Sequence, residues 1–262
     1  MGIEWTPEKY IAFLHIGNSP EQRRELDRKL LEAARKYKEA IETHGLSLAK
    51  IGNGLIKLLV ARLNCFDFSS EEGRKLMVRE TEGINHQYNQ ILGKELWPQI
   101  MHGALAEFGT ALALSEHVGY PVYYPSTEED LKGKIDWWVD LENGKTLAVQ
   151  VKTLPLTEDP EEKIISISSE ADIENLTKKY GYAISDLAFF EENARAMINF
   201  CQQWDNVQPV FILLPPVESE YSRIHSLTGL PTDREGRVDL KEKSLGRELF
   251  EEIETKFLPK EV

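Results

Sequence analysis

The chain has 262 residues, of which 41% are hydrophobic and 29% are charged, and its formal net charge is -13. This length and composition are typical of a globular protein with one large or two ordinary domains, and they argue against a membrane-spanning chain. The net charge is opposite to the basic footprint expected of a protein that holds nucleic acid through its phosphates.

The negative charge is concentrated in the second part of the chain. Residues 1–100 have 15 basic and 14 acidic side chains, whereas the remaining residues have 16 and 30. The acidic residues cluster at 128–130, at 158–162 and in the last predicted helix, where they can form faces turned away from a substrate.

The two cysteines indicate the compartment of the protein. Cys65 and Cys201 are far apart in the sequence and lie in apolar, helical contexts. We therefore expect reduced, buried thiols and a cytoplasmic protein. We expect neither a secretory signal nor a membrane span, and the cysteine and histidine spacing does not fit a zinc site.

Two helices are predicted at the start of the chain by capping signals that contain proline. Thr6-Pro7 predicts a short helix to about His15. Ser19-Pro20 predicts a long helix to about Thr43 by the same signal.

The long helix has seven basic side chains, which allow two interpretations. They are Arg23, Arg24, Arg28, Lys29, Arg35, Lys36 and Lys38. They can form a basic ridge that follows a phosphate backbone. Alternatively, they alternate with acidic residues on a solvated, ion-paired face, which is the interpretation that we favour.

Two further helices are predicted before residue 95. The apolar segment after Gly45 is helical in character, and its Gly52-Asn53-Gly54 lacks the preceding strand that a nucleotide-binding loop requires. Ser69 with Glu72 forms a capping box for a helix that ends at about Leu92, before a glycine.

An apolar helix predicted after Pro98 has one acidic residue on its apolar side. The apolar stripe includes Ile100, Ala104, Ala111 and Leu114. Glu107 lies on the same stripe. Because an inward carboxylate is costly to bury, Glu107 needs a hydrogen bond, an ionic partner or a metal. Alternatively, it lies at the edge of the stripe and extends into solvent.

The segment from Lys134 to Thr153 predicts two strands joined by a tight turn. Its first strand alternates apolar residues with Asp136, and its second strand alternates them with Gln150 and Lys152. These three polar side chains meet only if the register of the hairpin allows it.

The length of the loop decides that register. A two-residue turn at Asn143-Gly144 would send the polar side chains to opposite faces. A three-residue loop that ends in the glycine pairs Leu141 with Lys145. Asp136 then lies opposite Gln150. We predict the three-residue loop, since it keeps the apolar rows on one face and collects the polar groups on the other.

Asp136, Gln150 and Lys152 would together suit a site for a hard cation. Carboxylate and amide oxygens are ligands that Mg²⁺ accepts, and the main-chain carbonyl of Val151 can add another. A lysine can orient a nucleophilic water or stabilise charge that develops on a phosphate. Alternatively, the polar residues are only the solvated side of an antiparallel sheet.

Several further elements are predicted after the hairpin, and the last strand is a continuous apolar run typical of a buried position. In chain order they are an acidic loop over residues 154–162, a strand over 164–168, helices over 172–180 and 186–204, a strand over 209–214, a loop to about 238 and an acidic helix over 239–257.

The order of these elements resembles the PD-(D/E)xK nuclease superfamily, which has the restriction-endonuclease-like fold. The resemblance covers about residues 98–215. Its parts are a helix with Glu107, a strand over 121–124, a strand with Asp136, a strand ending in Gln150-Val151-Lys152, a helix and a further strand. Glutamine in place of the second acid is similar to the QxK signature of Mrr-like nucleases, and Ile-Asp replaces Pro-Asp.

The resemblance implies an α+β or α/β fold whose α-β-β-β-α-β core surrounds a mixed central sheet. It also implies Mg²⁺-dependent hydrolysis of nucleic acid, which we expect to be DNA, with Mn²⁺ able to substitute. Asp136, Gln150, Val151 and Glu107 would be the metal ligands, and Lys152 would position the attacking water. A homodimer is also implied, because double-strand cutters of the superfamily often work as dimers.

We therefore expect a helical domain or arm over residues 1–95 and a nuclease domain over residues 96–262. The first functional hypothesis is a metal-dependent nuclease in defence, repair or recombination, which Lys152 favours. The second is a non-catalytic, regulatory module on the same fold with a protein or nucleic-acid partner, which the negative charge and Gln150 favour. A third hypothesis is an α+β domain without a site.

Overall fold

The structure, a computed structural model, divides into two compact units. The residues that it describes are 6, 11–12, 19–44, 48–67, 70–117, 119–153, 162–181, 184, 187–214 and 245–258. Among the described residues, one unit is helical and comprises 19–109, and the other is built on a β-sheet and comprises 11–12, 110–214 and 245–258. In these ranges no helix is long and apolar enough to cross a membrane.

The described part of the helical unit consists of three helices and most of a fourth, whose residues from Thr110 onward belong to the sheet unit. They are α1 (Pro20–His44), α2 (Leu48–Leu63), α3 (Glu71–Leu92) and α4 (Leu96–Leu112). The three predicted helices that correspond to α1, α2 and α3 are confirmed. The fourth begins before Pro98 rather than after it, because a proline in the first turn removes no helical hydrogen bond.

The ends of α3 show how short signals position a helix. Its N-cap is Ser70, not the predicted Ser69, which lies outside the described residues. The Ser70 hydroxyl accepts a hydrogen bond from the Gly73 N–H at 3.1 Å, which satisfies one of the N–H groups that a helix leaves unpaired. Gly93 ends the helix as predicted, with a φ of 88° that favours glycine.

Basic residues of α1 form ion pairs with acidic residues of the same helix. Arg28 donates to Glu25 at 2.7 Å, and Lys36 donates to Glu32 at 2.7 Å. Exposed pairs at a spacing of three or four residues are neighbours on the helix surface and stabilise it weakly. The ion-paired interpretation of this helix is therefore confirmed for these side chains.

Arg62 of α2 links three helices of this unit. Its side chain is 3% exposed and contacts the carboxylates of Asp27 in α1 and Glu80 in α3, the latter at 3.1 Å. Its guanidinium lies 5.3 Å from the ring centroid of Phe66. The Tyr88 hydroxyl of α3 donates to the Asp27 carbonyl at 3.3 Å. We call Arg62, Asp27, Glu80, Phe66 and Tyr88 the Arg62 network.

Trp97 attaches α4 to α3 within the helical unit. Its ring stacks on Tyr88 with 4.6 Å between ring centroids, and its Nε1 donates to the Asn85 side chain at 2.8 Å. A buried tryptophan with a satisfied N–H combines a large apolar area with a fixed orientation. The first turns of α4 are therefore held firmly against α3.

The second unit is built on an open, mixed sheet, which agrees with the predicted α+β class. Its six strands are β1 (Ile11–Ala12), β2 (Val122–Tyr124), β3 (Trp137–Asp140), β4 (Thr146–Thr153), β5 (Ile164–Ser166) and β6 (Val207–Leu214). The order across the sheet is β1-β2-β3-β4-β6-β5. Strands β4 and β6 are parallel, and every other neighbouring pair is antiparallel.

Strand β1 contradicts the short helix predicted to end near His15. Ile11 and Ala12 pair with Tyr124 and Tyr123 of β2 in antiparallel register. Pairing with a distant strand overrides a local helix signal at this position, as it commonly does for short segments. Most of the remaining predicted helix lies outside the described residues.

Four α-helices and one π-helical turn accompany the sheet in the described residues. They are the π turn (Ala113–His117), α5 (Thr127–Gly133), α6 (Glu170–Tyr180), α7 (Leu187–Cys201) and α8 (Leu245–Phe257). The last three correspond to the predicted helices, whereas α5 was not predicted. Of the predicted loop over residues 154–162, residues 154–161 lie outside the described residues, and so does the predicted loop from Pro216 to about Val238.

Helices α6 and α7 cover one face of the sheet. Trp138 and Ala148 from β3 and β4 and Phe211 from β6 share one buried cluster with Ile173 of α6 and Met197 of α7. The part of the sheet face that carries Trp138, Ala148 and Phe211 is therefore an apolar core.

Acidic residues of α8 bind the edge strand β5. The Glu252 carboxylate accepts the N–H groups of Lys163 and Ile164, each at 2.9 Å. Glu248 lies 2.8 Å from the Lys163 ammonium, and Lys256 donates to the Ile164 carbonyl. Some of the acidic residues predicted to face away from a substrate therefore have a structural role, since their side chains cover the edge of strand β5.

Asp172 forms a capping box with Ser169 at the start of α6. Its carboxylate accepts the Ser168 N–H at 2.8 Å and the Ser169 N–H at 2.9 Å. The main-chain hydrogen bond from Ser168, followed by those of the two hydroxyls, lowers the pKa of Asp172 below 3.8. A carboxyl whose pKa is lowered on folding stabilises the protein above its unfolded pKa, and that contribution is lost as the pH falls through the folded value.

We expect Asp172→Asn to lower the free energy of unfolding by about 1 kcal/mol at neutral pH. The deficit should shrink as the pH falls from 3.8 through the lower pKa of the folded protein, because the wild-type carboxyl then becomes neutral as well. Urea unfolding of both proteins over a series of pH values checks this. A deficit that is the same at every pH would show that the carboxylate charge contributes nothing.

Candidate functional site

The hairpin of β3 and β4 has the predicted three-residue loop. Asp140 pairs with Thr146, and the Leu141 N–H donates to the Lys145 carbonyl at 2.8 Å. Gly144 has a φ of 77°, the left-handed value that the bulge position requires. The two-residue alternative is therefore excluded, and the predicted register is confirmed.

Asp136 lies beside Gln150 at the entrance to β3. Its N–H donates to the Val149 carbonyl at 2.7 Å, and its Oδ2 accepts the Val151 N–H at 2.8 Å. These two hydrogen bonds contact the residues on either side of Gln150. Asp136 is only 7% exposed, so its carboxylate is held in a region where an opposite charge is attracted more strongly than in water.

The side-chain oxygen of Gln150 is the strongest structural sign of a ligand site. Gln150 is 5% exposed, and its Oε1 has no hydrogen-bond partner among the described residues. An unsatisfied buried polar atom costs about 1–3 kcal/mol, so native proteins seldom retain one without a water, an ion or a ligand to satisfy it. A carbonyl oxygen next to a buried carboxylate is suited to a hard cation.

Lys152 follows Gln150 by two residues on β4. Because strand side chains alternate, both side chains project from the same face. Lys152 is half-buried, and β4 pairs it with Leu213 near the carboxyl end of β6. The predicted Asp136, Gln150 and Lys152 are thus brought together at one end of the hairpin, which we call the DQK site.

Two details of the predicted alternation are wrong. Strict alternation places Ile135 on the face opposite Trp138, but Ile135 shares a buried cluster with Trp138 and Ala148. The alternation therefore begins with β3 and not at Ile135. Trp138 and Ala148 also show that the face of Gln150 is apolar and covered, because α6 and α7 lie on it. The alternative of a solvated sheet face is therefore wrong for the buried Asp136 and Gln150.

Glu107 belongs to the helical unit, whereas the DQK site belongs to the sheet unit. Glu107 is buried and accepts a hydrogen bond from Lys57 of α2 at 3.1 Å. The expectation that an inward carboxylate needs a partner is confirmed, and the solvent-exposed alternative is wrong. The role of Glu107 as a metal ligand stays a prediction, since Lys57 already compensates its charge.

The role of Lys57 was not predicted from the sequence. The available signal was a lysine within the apolar α2, which is the natural counterpart of an inward acid on another helix. The sequence does not show which acid it meets, because the pairing depends on how α2 packs against α4.

Two other carboxylates of the sheet unit, the partly buried Asp140 and the buried Glu129, have structural roles. The Thr146 hydroxyl donates to Asp140 at 2.7 Å, and burial raises the pKa of Asp140. Glu129 accepts the Ser126 N–H at 2.6 Å and the Trp138 indole N–H at 3.4 Å. Glu129 was predicted to belong to an outward acidic cluster, but its capping box with Ser126 turns it inward.

The donor atoms of the DQK site fit a divalent cation. Asp136 provides a carboxylate, Gln150 an unpartnered amide oxygen, and Val151 a main-chain carbonyl. Hard cations such as Mg²⁺ and Mn²⁺ take oxygen ligands of these types. Within the described part of the chain, no three histidine, cysteine or acidic side chains gather as a metal site.

Comparisons with protein-family models, curated proteins and solved structures found no match for this chain. The candidate site is defined by the hairpin residues and their contacts. Since one fold supports many activities, function has to be inferred from these side chains and not from the architecture.

Proposed function

We propose that the protein is a metal-dependent nuclease and that the DQK site is its active centre. The observation that carries the proposal is the unpartnered, buried Oε1 of Gln150 next to the buried carboxylate of Asp136. A lysine two residues further along the same strand completes the set that phosphodiester hydrolysis requires. The restriction-endonuclease-like core belongs to this proposal.

The order of the elements supports this core. A helix, α4, precedes three antiparallel strands, β2, β3 and β4, and α7 leads into β6, which is parallel to β4. The departures from a minimal core are α5, β5 and α6. The site residues come from the ends of neighbouring strands, where a rigid sheet holds them precisely.

Each residue of the site has a distinct proposed role. Asp136 and Gln150, with the Val151 carbonyl, would hold Mg²⁺ or Mn²⁺. When bound, the cation would polarise the phosphate and favour ionisation of water. Lys152 would hold the attacking water by a hydrogen bond and balance the negative charge that develops on the phosphate.

The net negative charge of the chain favours the regulatory alternative. Several of the acidic side chains, however, form hydrogen bonds or ion pairs within the protein. Glu252 caps main-chain N–H groups of β5, Asp172 caps α6, and Glu129 binds Trp138. Glu170 pairs with Arg195. These acidic side chains are engaged in structure, so the formal charge overstates the repulsion that a nucleic acid would meet.

The test is cleavage of duplex, single-stranded and branched DNA and of RNA with Mg²⁺, Mn²⁺ or EDTA. We expect metal-dependent cleavage of DNA by the wild type, and a loss of at least about 100-fold in Lys152→Ala. Lys145→Ala is the matched control, since Lys145 is an exposed lysine in the turn of the same hairpin. It should cleave like the wild type.

Three outcomes would contradict the proposal. The first is a folded wild type that cuts nothing with either metal, the second is activity that survives in EDTA, and the third is equal activity of Lys152→Ala and Lys145→Ala. The first outcome would favour a non-catalytic module that works through a protein partner.

A further inference from the structure

A groove of about 600 Å³ runs along the helical unit. Its lining comes from α1, from α3 and from Arg62 of α2. The α1 residues that line it recur every three or four positions from Pro20 to Leu31, and the α3 residues do so from Glu80 to Tyr88. Each wall is therefore one face of a helix, and the α1 wall is about 17 Å long at 1.5 Å per residue.

The groove has more positive than negative charge, although the whole chain is acidic. Its charged lining residues are Arg23, Arg24, Arg28, Arg62, Asp27 and Glu80. Four guanidinium groups thus face two carboxylates. The two carboxylates are held by Arg62, and Glu80 also lies 3.5 Å from Arg23. The excess charge at the groove comes from Arg24 and Arg28.

Arg24 and Arg28 are positioned to receive an anion. Their side chains are 72% and 62% exposed. Arg24 pairs with Glu21, and Arg28 pairs with Glu25 and lies 3.7 Å from Glu32; none of these three acids lines the groove. Exposed ion pairs within one helix are weak and are screened by salt. A phosphate group that binds both arginines can therefore replace these carboxylates at little cost.

The spacing and chemistry of the two arginines favour phosphate. They are one helical turn apart, which is about 6 Å along the axis, so both reach the same side of α1. Guanidinium groups bind phosphate oxygens in a bidentate manner. The Arg62 network keeps the walls of the groove in place, and Leu31 and Ile84 add an apolar surface to the lining.

We propose that this groove binds phosphate groups, either those of a nucleic-acid strand or those of a free oligophosphate, through Arg24 and Arg28. The proposal goes beyond the nuclease site and does not depend on it. Three observations support phosphate binding: the local excess of arginine, the size of the groove and the weakness of the competing ion pairs. The volume lies in the range of about 300–1,000 Å³ that small-ligand sites occupy.

The experiment measures binding to the full chain in EDTA, so that cleavage does not intervene. The probes are a short fluorescein-labelled single-stranded DNA, followed by fluorescence anisotropy, and inorganic triphosphate, followed by calorimetry. The variant Arg24→Ala/Arg28→Ala is compared with Lys36→Ala/Lys38→Ala. The control removes the same charge from ion-paired residues of the same helix that do not line the groove.

We expect the arginine double variant to bind at least one probe about tenfold more weakly or worse, and the lysine double variant to bind within about twofold of the wild type. For DNA, the slope of affinity against salt should also fall by about 1–2 in the arginine variant alone. Binding of triphosphate identifies a free oligophosphate as the ligand, and binding of DNA alone identifies a strand.

Two results would overturn the proposal. One is that the wild type binds neither probe, and the other is that both double variants lose the same affinity, which would indicate unspecific attraction. Circular dichroism of each variant confirms that the fold is intact. Because cleavage plays no part in this measurement, a failed nuclease assay leaves its result unchanged.

Discussion

Asp136→Asn should abolish metal-dependent cleavage and leave the protein folded. Asparagine retains an oxygen that can accept the Val151 N–H, which the wild-type carboxylate binds at 2.8 Å. It removes the negative charge that attracts the cation, and the loss of several kcal/mol of transition-state stabilisation corresponds to a rate at least about 100-fold lower. Cleavage assays and calorimetric titration with Mn²⁺ measure the two effects.

Asp136→Ala separates the structural role from the catalytic one. Alanine leaves the Val151 N–H without its side-chain acceptor, which should cost about 1–3 kcal/mol in the free energy of unfolding. Both variants should be inactive, but only the alanine variant should be less stable in urea. An asparagine variant as active as the wild type would disprove the role of Asp136 as a metal ligand.

Asp140→Asn is the matched control for these variants. Asp140 is also a partly buried carboxylate of β3, but it lies at the other end of the strand and binds Thr146. Burial raises its pKa, so its ionised form opposes folding as the pH rises through the folded value. The control should retain cleavage and lose little stability at neutral pH.

Arg62→Ala should lower the free energy of unfolding by about 3 kcal/mol, the largest effect that we expect in the helical unit. The substitution leaves Asp27 and Glu80 without the cation between them and removes the guanidinium from the Phe66 ring. Both carboxylates are partly exposed, so the cost should lie at the lower end of the values for buried ion pairs. Urea unfolding followed by circular dichroism measures it.

Arg62→Met distinguishes the loss of the positive charge from the loss of packing on the Phe66 ring. Methionine preserves much of the packing over Phe66 but not the charge, so it should restore only part of the lost stability. Arg79→Ala, which removes an exposed arginine of α3, should change the stability by less than about 0.5 kcal/mol. If Arg62→Ala unfolds at the same urea concentration as the wild type, the Arg62 network does not hold the three helices together.

The hairpin was predictable because its information is local. Alternating residues and one glycine specify two strands and a loop, and Gly144 adopts the left-handed conformation that the register requires. The break in alternation at Ile135 was not predictable, since it depends on a cluster with α7 residues that are distant in the sequence. Local patterns specify the strands, whereas tertiary packing specifies where they begin.

The elements that were predicted wrongly or not at all also depend on contacts between residues distant in the sequence. β1 is only two residues long and exists through its pairing with β2. The capping box of Ser126 and Glu129 is present in the sequence and defines α5, but the run of acids around it suggested a solvated surface. The partner of Glu107 was not predictable either, because the contact with Lys57 arises from helix packing.

The sheet unit includes elements that are far apart in the sequence, such as β1 at Ile11–Ala12 and α8 at Leu245–Phe257. A ribosome must therefore synthesise the chain through Leu245–Phe257 before α8 can cover β5. Meanwhile α1 to α4, which are consecutive in the sequence, can associate early. During synthesis the open edge of β5 is available to other chains, so depletion of chaperones should cause aggregation that begins with this unit.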